Sequence, residues 1–290
     1  MKGIREIKSR IKAVNSTAQI TRAMQLVAAS KMKRAQDKAK AGRSYALLLA
    51  EILQSLVENT EGLEHPLLEE RAVKHRGILV LSTDKGLCGP LNTNLFRLLS
   101  NVEPSAKFVT VGRKATQHFS RMKVDLIADF SVSDHCNFSE VRVIVEFMIK
   151  AYLEGTIDTL EVAFPRFENT LVQVPQIQPI LPLSELKNEL DKLNKRLKRD
   201  ISPIQDDREI LFEPNATGIL YDLLDLYVKQ IIFQRVLESK ASEQSARMVA
   251  MKTATENAKE LCRSLKLEYN KARQAAITQE ILEIAAAAAH

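Results

Sequence analysis

The amino-acid sequence predicts two long helices, one at each end, paired as an antiparallel α-helical coiled coil around a small, Rossmann-like, mainly parallel α/β domain. Three observations carry that prediction. Helix breakers crowd into the middle: the prolines stand at 66, 90, 104, 165, 175, 179, 182, 203 and 214. Residues 219–290 hold neither proline nor glycine, and residues 4–61 hold only Gly42. Proline costs about 3 kcal/mol and glycine about 1 inside a helix, so breaker-free stretches of this length mark continuous helices. Apolar residues at both ends recur at steps of three and four, and between them strand-like and helix-like segments alternate.

The N-terminal arm, residues 1–60, opens with Ile4, Ile7, Ile11, Val14 and Ala18, the a/d seam of a coiled coil. Large apolar residues then lead the seam over to Ile20, Met24 and Val27, and on to Tyr45, Leu48, Ile52 and Leu56. A skipped register changes the local winding, so the pair is expected to twist irregularly. In the C-terminal arm, residues 209–290, Ala254, Ala258, Leu261, Leu265, Ala272 and Ala276 form the matching stripe. At 1.5 Å per residue, helices of about 55 and 75 residues reach roughly 80 and 110 Å.

Residues 75–183 read as the α/β domain. Gly77–Thr83 is a buried strand, followed by a turn and a helix from about Asn92. Lys107–Gly112 is a second strand with a helix near 113–122, and Val124–Phe130 is a third. Ser139 caps a helix to about Glu154. Leu160–Phe164 and Leu171–Val174 close as an antiparallel pair around Glu168-Asn169. Residues 184–208 are charged and helical in pattern, an insertion or linker.

Charge is uneven along the chain. Up to Arg43 the first arm carries Lys2, Arg5, Lys8, Arg10, Lys12, Arg22, Lys31, Lys33, Arg34, Lys38, Lys40 and Arg43 against only Glu6 and Asp37. A strongly basic arm points to an acidic macromolecular partner. Cys88, Cys136 and Cys262 are far apart and never in CxxC spacing, which argues against a disulfide framework or a zinc site and for a reducing compartment. No secretory leader or membrane span is read, so the chain is expected to be soluble and to meet a membrane only through partners.

No catalytic chemistry assembles. Asp84–Asn92 sits where a dinucleotide-binding domain carries its phosphate loop, yet Gly86 and Gly89 match neither GxGxxG nor GxxxxGK[ST]. Pro90 removes a backbone donor, and Gly112-Arg113-Lys114 replaces the acidic residue expected after the second strand. His135-Cys136 has no third ligand in view, and His65, His75 and His118 lie apart. The expectation is a non-catalytic protein with no cofactor and no metal. A nucleotide-binding enzyme with helical arms and a basic coiled-coil nucleic-acid binder are the rival readings; the arms lack the aromatic and groove-reading features of the second.

Four segments in order, Ile4–Ser30, Ser82–Asn92, Ser242–Lys252 and Tyr269–Glu283, resemble the gamma subunit of the F-type ATP synthase, the central stalk of its rotary catalytic head. The resemblance implies a rotor shaft turning inside a ring of alpha and beta subunits. It also implies contact with the epsilon subunit and the membrane c-ring, no nucleic-acid partner, and a peripheral place on the cytoplasmic face of a bacterial inner membrane. It places Arg22, Met24, Lys31, Lys33, Arg34, Cys88, Arg247, Gln274, Thr278 and Glu280 against the catalytic head, and Glu209, Leu211, Phe212 and Glu213 on the ring side. The chain departs from the family pattern at its end, where Ile284, five alanines and His290 replace paired glycines and a further apolar turn.

Overall fold

A computed structural model of the chain describes residues 3–58, 65–100, 102, 106–122, 124–183 and 216–288. The elements in order are α1 (Ile4–Glu58), β1 (Arg76–Leu81), α2 (Leu91–Leu99), β2 (Lys107–Val111), α3 (Arg113–Met122), β3 (Asp125–Phe130), α4 (Phe138–Leu153), β4 (Thr159–Phe167), β5 (Gln173–Leu181) and α5 (Ala216–Ala288). The chain forms two compact units: Met1–Ser30 with Arg247–His290, and Lys31–Ala246. Among the described residues no helix is long and apolar enough to cross a membrane. The expected insertion at 184–208 lies outside the described residues, as does the side chain of Leu56.

In the first unit α1 and α5 run antiparallel along one unbroken heptad seam. On α1 it passes through Ile4, Ile7, Ile11, Val14, Ala18, Thr21, Gln25 and Ala28, each buried or half-buried. On α5 it passes through Met251, Thr255, Ala258, Cys262, Leu265, Tyr269, Ala272 and Ala276. The expected slip to Ile20 and Val27 does not occur: those side chains are 60% and 55% exposed, whereas Ala28 is 1% exposed. Leu261 is likewise exposed, with Cys262 in the seam instead. The cause is the 3.5-residue repeat itself. A step of seven keeps the stripe facing the partner helix, and a shift of one residue turns it by about 100° toward solvent. Thr21 and Thr255 meet in the seam, their hydroxyl oxygens 2.7 Å apart.

The second unit continues the α1 seam through Met32, Ala35, Ala39, Gly42 and Ala46 to Leu49 and Leu53, while Tyr45, Leu48 and Ile52 point outward. The one glycine of this arm has a packing reason. A Cβ on Gly42 would run into the side-chain amide of Gln234 on α5, and Gln230 Nε2 donates to the Gly42 carbonyl at 3.4 Å.

The sheet of this unit has the order β3-β2-β1-β4-β5, parallel except for the β4–β5 pair. Alternation along the strands splits the core into two layers. Leu79, Leu81, Val109, Val162 and Phe164 face α4 and the long helices, meeting Ile144, Val145 and Met148 on α4, Leu49 and Leu53 on α1, and Leu224, Val228 and Ile232 on α5. Ile78, Val80 and Phe108 face α2 and α3, against Leu95, Leu99, Ala115 and Phe119. The second strand of the hairpin starts at Gln173 rather than Leu171, because Asn169 Oδ1 accepts the amides of Leu171 and Val172 and makes those residues part of the turn. Helix α4 begins at Phe138 with Asn137 at its N-cap, and Ser139 lies within its first turn.

Candidate functional site

In an open α/β sheet, ligands bind beyond the carboxyl ends of the strands where the strand order reverses, here between β1 and β4. That place is filled by the chain itself. Cys88 and Leu91, just past β1, pack against Ala246 of α5, and the neighbouring Ser245 hydroxyl donates to the Thr170 carbonyl at 2.8 Å on the β4–β5 turn. The loop between β1 and α2 is closed on itself. Asn92 Nδ2 donates to Thr83 Oγ1 at 2.8 Å, and that hydroxyl donates to the Lys85 carbonyl at 2.8 Å.

The helix N-terminus that would cradle a phosphate is also occupied. At the start of α3, the amides of Arg113, Lys114 and Ala115 donate to Asp84 Oδ1 at 3.2 Å, the Thr83 carbonyl at 3.1 Å and Ser82 Oγ at 2.9 Å. Gly112 lets the two strand ends come this close: its φ is +98°, and a Cβ there would stand 2.5 Å from the Ser82 carbonyl oxygen. The donors a phosphate would use are committed within the fold.

Helix α5 is enclosed over the same stretch. From Ser239 through Ala246 every residue is buried, although six of the eight are Ser, Lys, Glu or Gln. The β3–α4 loop, the β4–β5 turn and the start of α2 surround it. In this stretch the chain's own α/β domain surrounds the helix.

The residues expected to face the catalytic head separate into groups. Arg22, Lys33 and Arg34 are exposed on α1, with Met24 half-buried. Lys31 bends to the Asp134 carboxylate of the β3–α4 loop. The Cys88 thiol is 2% exposed, and Leu87 with φ +63° presents the outer surface of that loop. Arg247 is 9% exposed. Gln274, Thr278 and Glu280 lie exposed near the end of α5, where the Thr278 hydroxyl donates to the Gln274 carbonyl at 3.0 Å. Glu209, Leu211, Phe212 and Glu213 lie outside the described residues. The sequence reading missed a second set, the apolar side chains standing outside the seam: Ile20, Leu26 and Val27 on α1, and Leu267, Ile277 and Ile281 on α5. Ile20, Leu26, Val27 and Ile277 carried a signal in the sequence, since each is a large apolar residue one position off a continuous heptad.

The chain matches the family described as ATP synthase over residues 3–290. The ATP synthase gamma chain of Opitutus terrae is 52% identical over 289 residues, covering 99% of this chain and 98% of that one. The gamma chain of Methylacidiphilum infernorum is 46% identical, covering 98% and 97%, and that of Legionella pneumophila is 38% identical, covering 100% and 99%. Among solved structures, a chain of the central stalk/c-ring of the Tetrahymena thermophila mitochondrial ATP synthase superposes with a TM-score of 0.59 at 26% identity, over 81% of this chain and 99% of that one. A chain of the Euglena gracilis mitochondrial ATP synthase shares the fold, with a TM-score of 0.70 at 19% identity over 99% and 93%. With the nucleotide crevice filled from within and two long helices closing on a continuous seam, the chain belongs to the ATP synthase gamma-chain family.

Proposed function

We propose that the chain is the rotor shaft of a proton- or ion-translocating F-type ATP synthase, not itself catalytic, and that it links ion flow through the membrane c-ring to the conformational cycle of the alpha and beta subunits. The observation that carries this reading is the end-to-end match to gamma chains, covering both long helices and the domain between them. The physical logic is differential binding. An asymmetric shaft in a ring of three like pairs contacts each pair differently, so each orientation favours a different set of open and closed catalytic sites. Turning the shaft then carries every site through binding, synthesis and release.

A part that must slip from one orientation to the next is better served by exposed contacts of about 0–1 kcal/mol than by strong ones. Arg22, Lys33 and Arg34 beside Met24 suit that role toward an acidic segment of the head, as do Gln274, Thr278 and Glu280 farther along. Glu209, Leu211, Phe212 and Glu213 are assigned to the c-ring side, and the epsilon subunit completes the stalk. The complex sits at the cytoplasmic face of a bacterial inner membrane, and the chain reaches that membrane through its partners. Co-purification tests the reading: the tagged chain is expected to bring down two larger subunits in three copies each. A chain that purifies alone from the same cells, with coupled ATP synthesis intact after its removal, refutes it.

A further inference from the structure

The loop joining β3 to α4, residues 131–137, is gripped by lysines from both long helices. From α1, Lys31 Nζ donates to the Asp134 carboxylate and Lys38 Nζ to the His135 carbonyl. From α5, Lys240 Nζ donates to the Val132 carbonyl at 3.2 Å and lies 3.8 Å from Glu243. The loop is braced from behind: the Ser133 amide and hydroxyl both donate to the Glu140 carboxylate at 2.8 Å, and Cys136 is buried with φ +48°. A non-glycine residue in that region persists only where its surroundings over-determine it.

We propose that this loop is the polar key that fixes the α/β domain to the two long helices against sliding, with Lys31, Lys38, Lys240 and Asp134 as positioning residues for the transfer of torque. Much of the rest of that contact is the apolar layer, with the Ser245–Thr170 hydrogen bond and the Lys229–Glu146 ion pair as further polar ties on α5, and apolar burial changes little when surfaces shift along one another. Hydrogen bonds from ammonium groups are lost on a shift of about 1 Å. Lys31 and Lys38 stand seven residues apart, about 10.5 Å along α1, so they hold the loop at two heights while Lys240 holds it to the other helix. The inference rests on the rotor reading, because only a part under load needs a key.

Two measurements test it on the full chain and on the assembled enzyme. In the isolated chain, Asp134→Ala and Lys31→Ala are each expected to speed amide exchange of residues 131–137 by about threefold to fivefold, with the double variant no faster than either single one. In the assembled enzyme Asp134→Ala is expected to pump about half as many protons per ATP hydrolysed while ATP hydrolysis holds, with Asp134→Glu restoring the ratio. Unchanged exchange, or additive single effects, overturns the key. Faster exchange with an unchanged pumping ratio overturns its part in torque transfer. A parent chain that assembles into no pumping enzyme sinks the rotor reading, and the torque role with it, while the exchange data on the isolated chain still report whether the loop is keyed.

Discussion

Thr21 and Thr255 show what one polar pair does inside a seam of alanines and aliphatics. Thr255 Oγ1 lies 2.7 Å from the Met251 carbonyl and Thr21 Oγ1 lies 3.0 Å from the Thr17 carbonyl, so each hydroxyl has an acceptor in its own helix besides its partner. A buried polar pair sets register, since a slip of either helix buries a hydroxyl against an apolar neighbour. Thr255→Val is expected to cost about 1 kcal/mol in thermal unfolding, and the Thr21→Val/Thr255→Val double variant less than the sum of the singles. Asp134 gives a pH prediction. The hydrogen bond from Lys31 holds its carboxyl below the usual aspartate range, with nearby lysines adding to the effect and partial burial opposing it. The folded pKa is depressed, so the stabilisation is present above the ordinary aspartate pKa and lost as pH falls through the lower folded value. Asp134→Ala should therefore narrow the stability gap between neutral and acidic solution, read as unfolding temperature against pH. Burial pushes the Cys136 thiol up to about 11, and all three cysteines are buried. A thiol reagent at neutral pH is expected to label the native chain slowly and the denatured chain at once; rapid native labelling at Cys136 would contradict the packing of its loop.

At the scale of elements, the breaker map transferred well. Long helices were expected where proline and glycine are missing, and α1 and α5 run for 55 and 73 residues. The order of strands and helices was legible because each βα step carries its own change of period. The register of the coiled coil was not. Its true seam uses Thr21, Gln25, Ala28 and Gly42, residues that look like surface or breaker when apolar size is the guide. Larger side chains one position away drew the reading aside. Small seam residues let two helices approach closely, and that is a property of the pair, invisible in either helix alone. The proposed contact surfaces stand in the sequence only as exposed or charged segments, and nothing in it says that Lys31 turns to Asp134 or that Cys88 packs against α5. Substitutions separate the two stripes. Ala28→Leu is expected to overpack the seam and cost about 1–3 kcal/mol in unfolding. Ile20→Ser should leave stability within about 0.5 kcal/mol and weaken assembly with the catalytic head instead.

For the whole molecule, the decisive property is that the sheet has the strand order of a nucleotide-binding fold while, among the described residues, the place such a fold keeps for a nucleotide is filled by the chain itself. Arg247→Ala is the variant that tests the shaft role most directly. Loss of its packing is expected to lower the unfolding temperature by only a few degrees. Coupled ATP turnover, normalised to assembled complex, is expected to fall by about twofold to fivefold. Normal turnover with normal proton pumping would reject that role for Arg247.

The Thr21–Thr255 contact joins residues 234 positions apart. At bacterial rates of about 5–20 residues per second, roughly 10–50 seconds separate the synthesis of the two partners. For that interval the newborn first helix displays Ile7, Ala18 and Ala28 with the segment of α5 that covers them not yet made, together with its outward apolar stripe. The later segment thus completes a seam whose first half was made long before it. Supply of this subunit should therefore depend on chaperones that hold an unfinished helix, and a ribosome stalled shortly before residue 247 should release an aggregating fragment rather than a shortened shaft.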